Sequence, residues 1–380
     1  MINEFFQLII GDYTLRIVAM GAIILGLTSG CLGTFAVLRQ QSLLGDAIAH
    51  ATLPGVGLAF MLTQSKNPLI LLLGAGMSGW LGTMIILLIT KTTRIKKDTA
   101  LGMVLSVFFG VGLVFLTIIQ KMPTATKAGL DKFLFGNAAT LLMDDLKVMA
   151  VLAGIAIFTL ILFWKEFKLI VFDYDFAKSI GVRIHFLDVL LTTLMVMTIV
   201  LGLQTVGVVL MSAMLVAPAA AARQWTDKLS VMVLLASIFG ILAGLMGALT
   251  SSLIENMPTG PTIVVYLSGI VMFSLLLAPH RGLVFDWIKI NRQREQIRTS
   301  TMLKNLLLFS EINTDPFHPH DMAALRAVGR GAFNRTMLQL LKKGLVKRHD
   351  QNRWALTPEG LKVAKRLTAL HEESFDVGLT

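Results

Sequence analysis

The sequence predicts an all-α polytopic membrane protein of about nine transmembrane helices, followed by a small cytoplasmic α+β domain. Three observations carry this. Hydrophobic residues make up 55% of the 380 positions and charged residues only 15%, where a soluble domain carries roughly 25%. Mean hydropathy is +0.73, and several apolar runs are long enough, at about 18 residues or more, to cross a bilayer. The composition also changes near residue 280. The segment from Arg281 onward holds 17 Lys/Arg and 10 Asp/Glu, against 17 and 13 in the 280 residues before it. Three regions follow: a transmembrane domain over 1–280, a basic juxtamembrane linker over 281–299 and a cytoplasmic domain over 300–380.

The nine spans are read at 14–38, 43–62, 68–90, 99–119, 146–164, 186–203, 205–222, 230–254 and 260–278. The sixth and seventh are parted only by Gln204. Glycines such as Gly26, Gly30 and Gly33 recur at spacings that let helices approach closely in lipid. One set of loops carries 11 basic residues, among them Arg39, Arg94, Lys165, Arg183 and Arg223; the other carries five. Basic loops stay on the cytoplasmic side, so the N-terminus is outside and the region after Pro279 inside. The start Met-Ile-Asn-Glu-Phe-Phe has no basic region of the cleaved-signal type. Cys31 is alone, which excludes an intrachain disulfide and a CxxC metal motif.

Ionisable residues inside spans are costly, roughly 2.5–3.5 kcal/mol on insertion scales, and mark function by default. Of the 13 acidic residues before 281, only Asp46 lies well inside a span; His50 is the histidine that does so. Four apart on a helix, they share one face. Pro54, four residues after His50, has no N–H for the His50 carbonyl, which predicts a freed carbonyl and a kink. Carboxylate and imidazole suit manganese, zinc or ferrous iron. Two ligands make an open site, as a route that must release its ion requires. The plain alternative is an Asp–His pair that only joins helices. Between spans five and six, residues 165–185 form a cytoplasmic segment too polar to cross the membrane.

Several stretches carry a family resemblance. The run from Leu43 through Gly45-Asp46-Ala47-Ile48-Ala49-His50 to Pro54-Gly55 closely resembles a signature of the manganese/zinc/iron family of ABC-importer permeases. Asp173 through Ala177 to Gly181 is similar to that family's coupling loop, Val206-Gly207 to Pro218-Ala219-Ala220 to a later segment, and Pro258-Thr259-Gly260-Pro261 to a loop before its last helix. The resemblance covers residues 10–280. It implies a homodimeric permease, a pair of cytoplasmic ATPases, and an extracytoplasmic binding protein that delivers the metal. It implies that Asp46 and His50 line the metal path, and that Asp173, Ala177 and Gly181 couple the spans to the ATPase. No permanently bound cofactor is implied; the divalent ion is cargo. No Gly-x-x-x-x-Gly-Lys-Ser/Thr phosphate loop occurs in the sequence, so ATP hydrolysis falls to the partner subunit. The resemblance implies a bacterial cell (inner) membrane location. A siderophore, haem or cobalamin permease is the neighbouring alternative, but those cargoes need a wider path than a short helix bearing Asp46 and His50 suggests.

The family usually ends near Pro279, and this chain continues for about 100 residues. Residues 281–299 mix Trp287, Ile288 and Ile290 with Lys289, Arg292, Arg294 and Arg298; anionic inner-leaflet lipids attract such segments. Beyond, helices are read at 302–312, 320–328 and 331–343, short strands at 344–348 and 354–357, and a closing helix over 358–371, with Thr357 before Pro358 as its cap. This is a winged-helix order, and it resembles the DNA-binding domain of iron-dependent repressors. The third helix carries Asn334, Arg335, Gln339, Lys342 and Lys343, side chains able to reach phosphates or base edges. The domain would contact DNA or another protein, and a membrane-tethered transcriptional regulator is the reading from a different class.

Overall fold

A computed structural model describes residues 13–65, 67–121, 141–203, 205–254, 257–279, 281–312, 317–321, 333–350 and 353–376. By contacts the chain divides into two units, 1–283 and 284–380.

The first unit is helical throughout its described residues: α1 (Tyr13–Leu38), α2 (Leu44–Ala51), α3 (Leu53–Thr63), α4 (Pro68–Thr92), α5 (Lys97–Lys121), α6 (Met143–Leu162), α7 (Trp164–Phe172), α8 (Tyr174–Ser179), α9 (Ile184–Leu203), α10 (Val208–Arg223), α11 (Leu229–Leu253) and α12 (Thr259–Leu277). Among the described residues, eight helical stretches are long and apolar enough to cross a membrane by themselves, with α2 and α3 counted as one. Nine spans were expected, and the remaining one is a shorter apolar helix. The segment read as the seventh span forms α10, a helix of 16 residues. It rises only about 24 Å, short of the ~30 Å hydrocarbon core. Gly207, at φ +90°, breaks the backbone before it, a conformation glycine adopts without steric cost.

The centre of the unit is α1, which packs most extensively against α11 and also against α6, α9 and α10. Backbone meets backbone along the α1–α11 seam: a Cβ on Gly26 would lie 2.5 Å from the Gly240 carbonyl carbon, and one on Gly30 would lie 2.5 Å from the Ser237 nitrogen. The glycine spacing thus serves close helix approach. Apolar side chains left bare on α4, α5, α6 and α12, such as Met77, Val107, Phe158 and Val265, suit a surface turned to lipid.

The second unit opens with α13 (Leu283–Ile312), a single 30-residue helix whose first residue still belongs to the first unit. It runs unbroken through 299–300, so the expected linker and first helix of the C-terminal domain are one element. Then come β1 (His320–Asp321), α14 (Phe333–Lys342), β2 (Val346–Arg348), β3 (Arg353–Leu356) and α15 (Pro358–Asp376). The hairpin and closing helix stand where the sequence placed them. The helix expected from His320 is corrected at its start: His320 and Asp321 pair with Trp354 and Arg353 as an antiparallel strand. The rest of that expected helix, 322–328, lies outside the described residues. The sheet order is β1-β3-β2. Met302, Leu303, Leu306 and Leu307 of α13, Met337 and Leu340 of α14, Trp354 and Ala364 form the core of this unit.

Candidate metal site

Asp46 and His50 lie on α2, on one face and in contact: His50 Nε2 is 3.4 Å from Asp46 Oδ1. The His50 side chain is 14% exposed and that of Asp46 36%. The neighbours are close-packed. Gly45 leaves room for α10, where an added Cβ would lie 3.1 Å from a Leu215 methyl. Ser212 of α10 lies beside Gly45 and the Asp46 carboxylate. The His50 ring meets Phe109 of α5 edge-on, with centroids 4.8 Å apart.

The second imidazole nitrogen explains itself least as structure. His50 Nδ1 is buried and has no hydrogen-bond partner, and a buried polar atom left so costs about 1–3 kcal/mol. Folding alone gains nothing from that nitrogen, whereas a ligand-binding role would use it. The donor set of one carboxylate and one imidazole fits a divalent transition metal. Among the described residues no third His, Cys, Asp or Glu joins them, so the pair forms an open site.

The expected freed carbonyl is corrected. The His50 carbonyl is not free: it accepts a backbone N–H where α2 is capped at Thr52. The turn tightens there, and Thr52 keeps helical angles of φ −75° and ψ −25°. Pro54 sits in the first turn of α3, where a missing N–H costs least. One residue on, the Ala51 carbonyl accepts the Ser78 hydroxyl of α4 at 2.6 Å. The proline thus divides the helix without leaving a carbonyl exposed to an ion.

The segment 164–179 forms two short helices, and the three motif residues there each have a local task. Asp173 caps α8, its carboxylate accepting the Phe176 N–H at 3.0 Å. Ala177 is fully buried. Gly181, at φ +79°, ends the helix in a left-handed turn, and the Val182 N–H returns to the Ala177 carbonyl at 3.1 Å, a Schellman closure. Phe167 anchors α7 by an edge contact with Phe35 of α1, centroids 5.9 Å apart. Phe172, Tyr174, Phe176 and Ile180 are left exposed. Tyr174, Phe176 and Ile180 were not singled out in the sequence; the signal was large apolar residues clustered in an otherwise polar loop.

Also missed was an ion pair between Arg39, just after α1, and Asp188 in α9. It lines a cavity with Lys97, Thr83, Thr90 and Thr192. In the second unit, Arg335 of α14 lies 3.8 Å from Glu295 of α13. Gln339, Lys342 and Lys343 line a concave surface with Arg292, Gln296 and Thr299. Asn334 is exposed.

A bundle of this kind, with a carboxylate and an imidazole paired inside a span, defines a polytopic helical membrane protein. Comparison with known proteins then gives the family. Residues 12–278 match the ABC 3 transport family, and the chain belongs to it. It is 48% identical over 275 residues to the zinc transport system membrane protein TroC of Treponema pallidum, covering 72% of this chain and 92% of that one. It is 40% identical over 362 residues to the manganese transport system membrane protein MntC of Bacillus subtilis, covering 95% and 83%. At that length the second match runs well into the C-terminal region. The solved structure of PsaBC from Streptococcus pneumoniae in complex with Fab superposes with a TM-score of 0.66 at 31% identity, over 77% of this chain and all of that one.

Proposed function

We infer that this chain is the membrane-spanning permease subunit of an ATP-binding-cassette importer for divalent transition-metal ions, manganese or zinc. The observation that carries the reading is the Asp46–His50 pair inside a span of an ABC 3 transport family chain. The relatives named for zinc and manganese support this cargo class over siderophore, haem or cobalamin. Asp46 and His50 serve as a waypoint on the path, Pro54 divides the helix that bears them, and further ligands come from other spans. Two copies of the permease assemble with cytoplasmic ATPases, and an extracytoplasmic protein delivers the ion. The exposed residues beside Asp173, Ala177 and Gly181 form the ATPase docking surface. The protein resides in a bacterial cell membrane, with its C-terminal unit in the cytoplasm.

The test is metal content, by elemental analysis, of cells expressing the permease with its ATPase and binding protein. Asp46→Ala and His50→Ala should each reduce accumulation to the empty-vector level while the complex still assembles. Normal accumulation by either variant would overturn the site.

A second reading, a winged-helix unit that makes this a membrane-tethered regulator, rests on the strand order and on Asn334, Arg335, Gln339, Lys342 and Lys343. Arg335 lies 3.8 Å from Glu295 but stays largely exposed, and Asn334, Lys342 and Lys343 are exposed too, so DNA and protein partners are both served by this surface. A gel shift with promoter DNA decides: retention that vanishes with salt and ignores sequence rejects specific DNA binding.

A further inference from the structure

The long helix α13 changes character along its length. From Met302 onward its apolar residues are buried in the core of the second unit. Before that they are bare: Val284, Phe285 and Ile288 on several sides of the first turns, and a set of four in which Leu283 is 64% exposed, Trp287 67%, Ile290 46% and Ile297 65%. At about 100° per residue these four fall within roughly 40° either side of one line. Arg294 and Arg298 lie on or beside the same line. Arg292, Gln296 and Thr299 point the opposite way, where they face α14. Of these three only Thr299 is buried, so α13 before Met302 is largely uncovered, and the line of four brings its apolar and cationic side chains together.

The chain also fixes where this side begins. Helix α12 is one of the membrane-crossing helices and ends at Leu277. Just before α13 the Gly282 N–H donates to the Ala278 carbonyl at 2.8 Å. A Cβ on Gly282 would stand 2.3 Å from that oxygen. Arg281 is held by Asp227 at 2.7 Å, in the loop between α10 and α11. The first turn of α13 therefore starts six residues after the last membrane-crossing helix ends. A solvent-exposed tryptophan and three aliphatic side chains there, flanked by arginines, match a bilayer interface: rings and methyls in the acyl boundary, guanidinium groups on lipid phosphates.

We propose that the face of α13 bearing Leu283, Trp287, Ile290 and Ile297 is seated on an anionic lipid surface, with Arg294 and Arg298 on the lipid phosphates. The cytoplasmic leaflet is the relevant one if the orientation given above holds, and on that point alone the inference rests on the proposed function. The occupant is lipid because the face begins six residues after a span and carries charge complementary to anionic headgroups.

The experiment uses the full chain in nanodiscs, whose two leaflets are both accessible, so the outcome does not depend on orientation. On a Cys31→Ser background, Trp287→Cys, Ile290→Cys, Ile297→Cys, Arg292→Cys and Gln296→Cys are spin-labelled singly. Collision with oxygen and with a water-soluble nickel chelate reports depth. In discs containing phosphatidylglycerol, labels at 287, 290 and 297 should be reached by oxygen and shielded from nickel, and labels at 292 and 296 should show the reverse. Combining Arg294→Gln with Arg298→Gln should move the seated-to-free equilibrium about 30-fold toward water. Uniform nickel access overturns the proposal. So does strong dipolar coupling between labels on two copies, which would put a second chain on this face, and shielding indifferent to the arginines removes their lipid role. Metal accumulation by the same variants tests the permease reading separately.

Discussion

Replacing His50 by leucine separates a functional histidine from a structural one, because the two make opposite predictions about stability. The imidazole contributes one contact to Asp46 at 3.4 Å, an i,i+4 pair of the kind worth about 0.3–0.5 kcal/mol. Against this stands the buried Nδ1 with no partner, a cost of about 1–3 kcal/mol. Leucine is similar in volume, keeps an apolar surface against Phe109, and removes the orphaned nitrogen. The balance favours His50→Leu by roughly 0.5–2.5 kcal/mol. The denaturation midpoint of the purified protein in detergent should therefore hold or rise, while metal accumulation in cells falls to background. A midpoint lowered as for a core truncation, ~2–5 kcal/mol, would make His50 a packing residue. Accumulation retained at the wild-type level would remove it from the metal path.

Other perturbations probe separate parts of the fold. Gly26→Val puts a side chain where a Cβ already lies 2.5 Å from the backbone of Gly240, so α1 and α11 must part by about 1 Å. The expected cost is about 2–3 kcal/mol, read from the same denaturation midpoint. Because Gly240 is the facing residue, Gly240→Ala added to it should cost less than it does alone. Gly181→Val forces a β-branched residue to φ +79° in open space, about 1–3 kcal/mol of backbone strain. Metal-stimulated ATP hydrolysis by the assembled complex should fall more than metal binding does. In the second unit, burial first and the nearby His318 second hold the His320 imidazole below its ordinary value of 6.5. The folded state then binds protons less readily than the unfolded one, so stability is full above that value and is lost as pH falls below it. Hydrogen exchange at β1 and β3, corrected for intrinsic rates, should speed up between pH 7.5 and 5.5, and His320→Phe should flatten that change.

What could be read from the sequence was whatever a single helix or hairpin decides locally. Apolar runs located the spans within a few residues, and the i,i+4 rule set Asp46 against His50 because both sit on one short helix. The β2–β3 hairpin followed from its turn residues. What escaped reading depends on distant partners. Arg39 and Asp188 are separated by 149 positions, and no periodicity links them. Ser212 lies beside Asp46 only because Gly45 lets α10 approach. His320 and Asp321 look helical by themselves and become a strand because β3 offers an edge. The His50 carbonyl illustrates another limit: proline chemistry correctly removes one donor, but a tightened turn supplies another.

The short helix α10 has a consequence for the dielectric around the ion. Sixteen residues leave the bilayer thickness one turn unfilled, and non-helical backbone inside hydrocarbon is sustained only where protein encloses it. Thr205, Val206 and Gly207 are buried accordingly, and none of the described side chains of α10 is exposed. The helix least able to span by itself is thus enclosed by protein at its described side chains, each buried or half-buried. Ser212 sits on that helix, beside the Asp46 carboxylate. A divalent charge held there would feel hydroxyls, peptide dipoles and whatever water the route admits, in place of acyl chains.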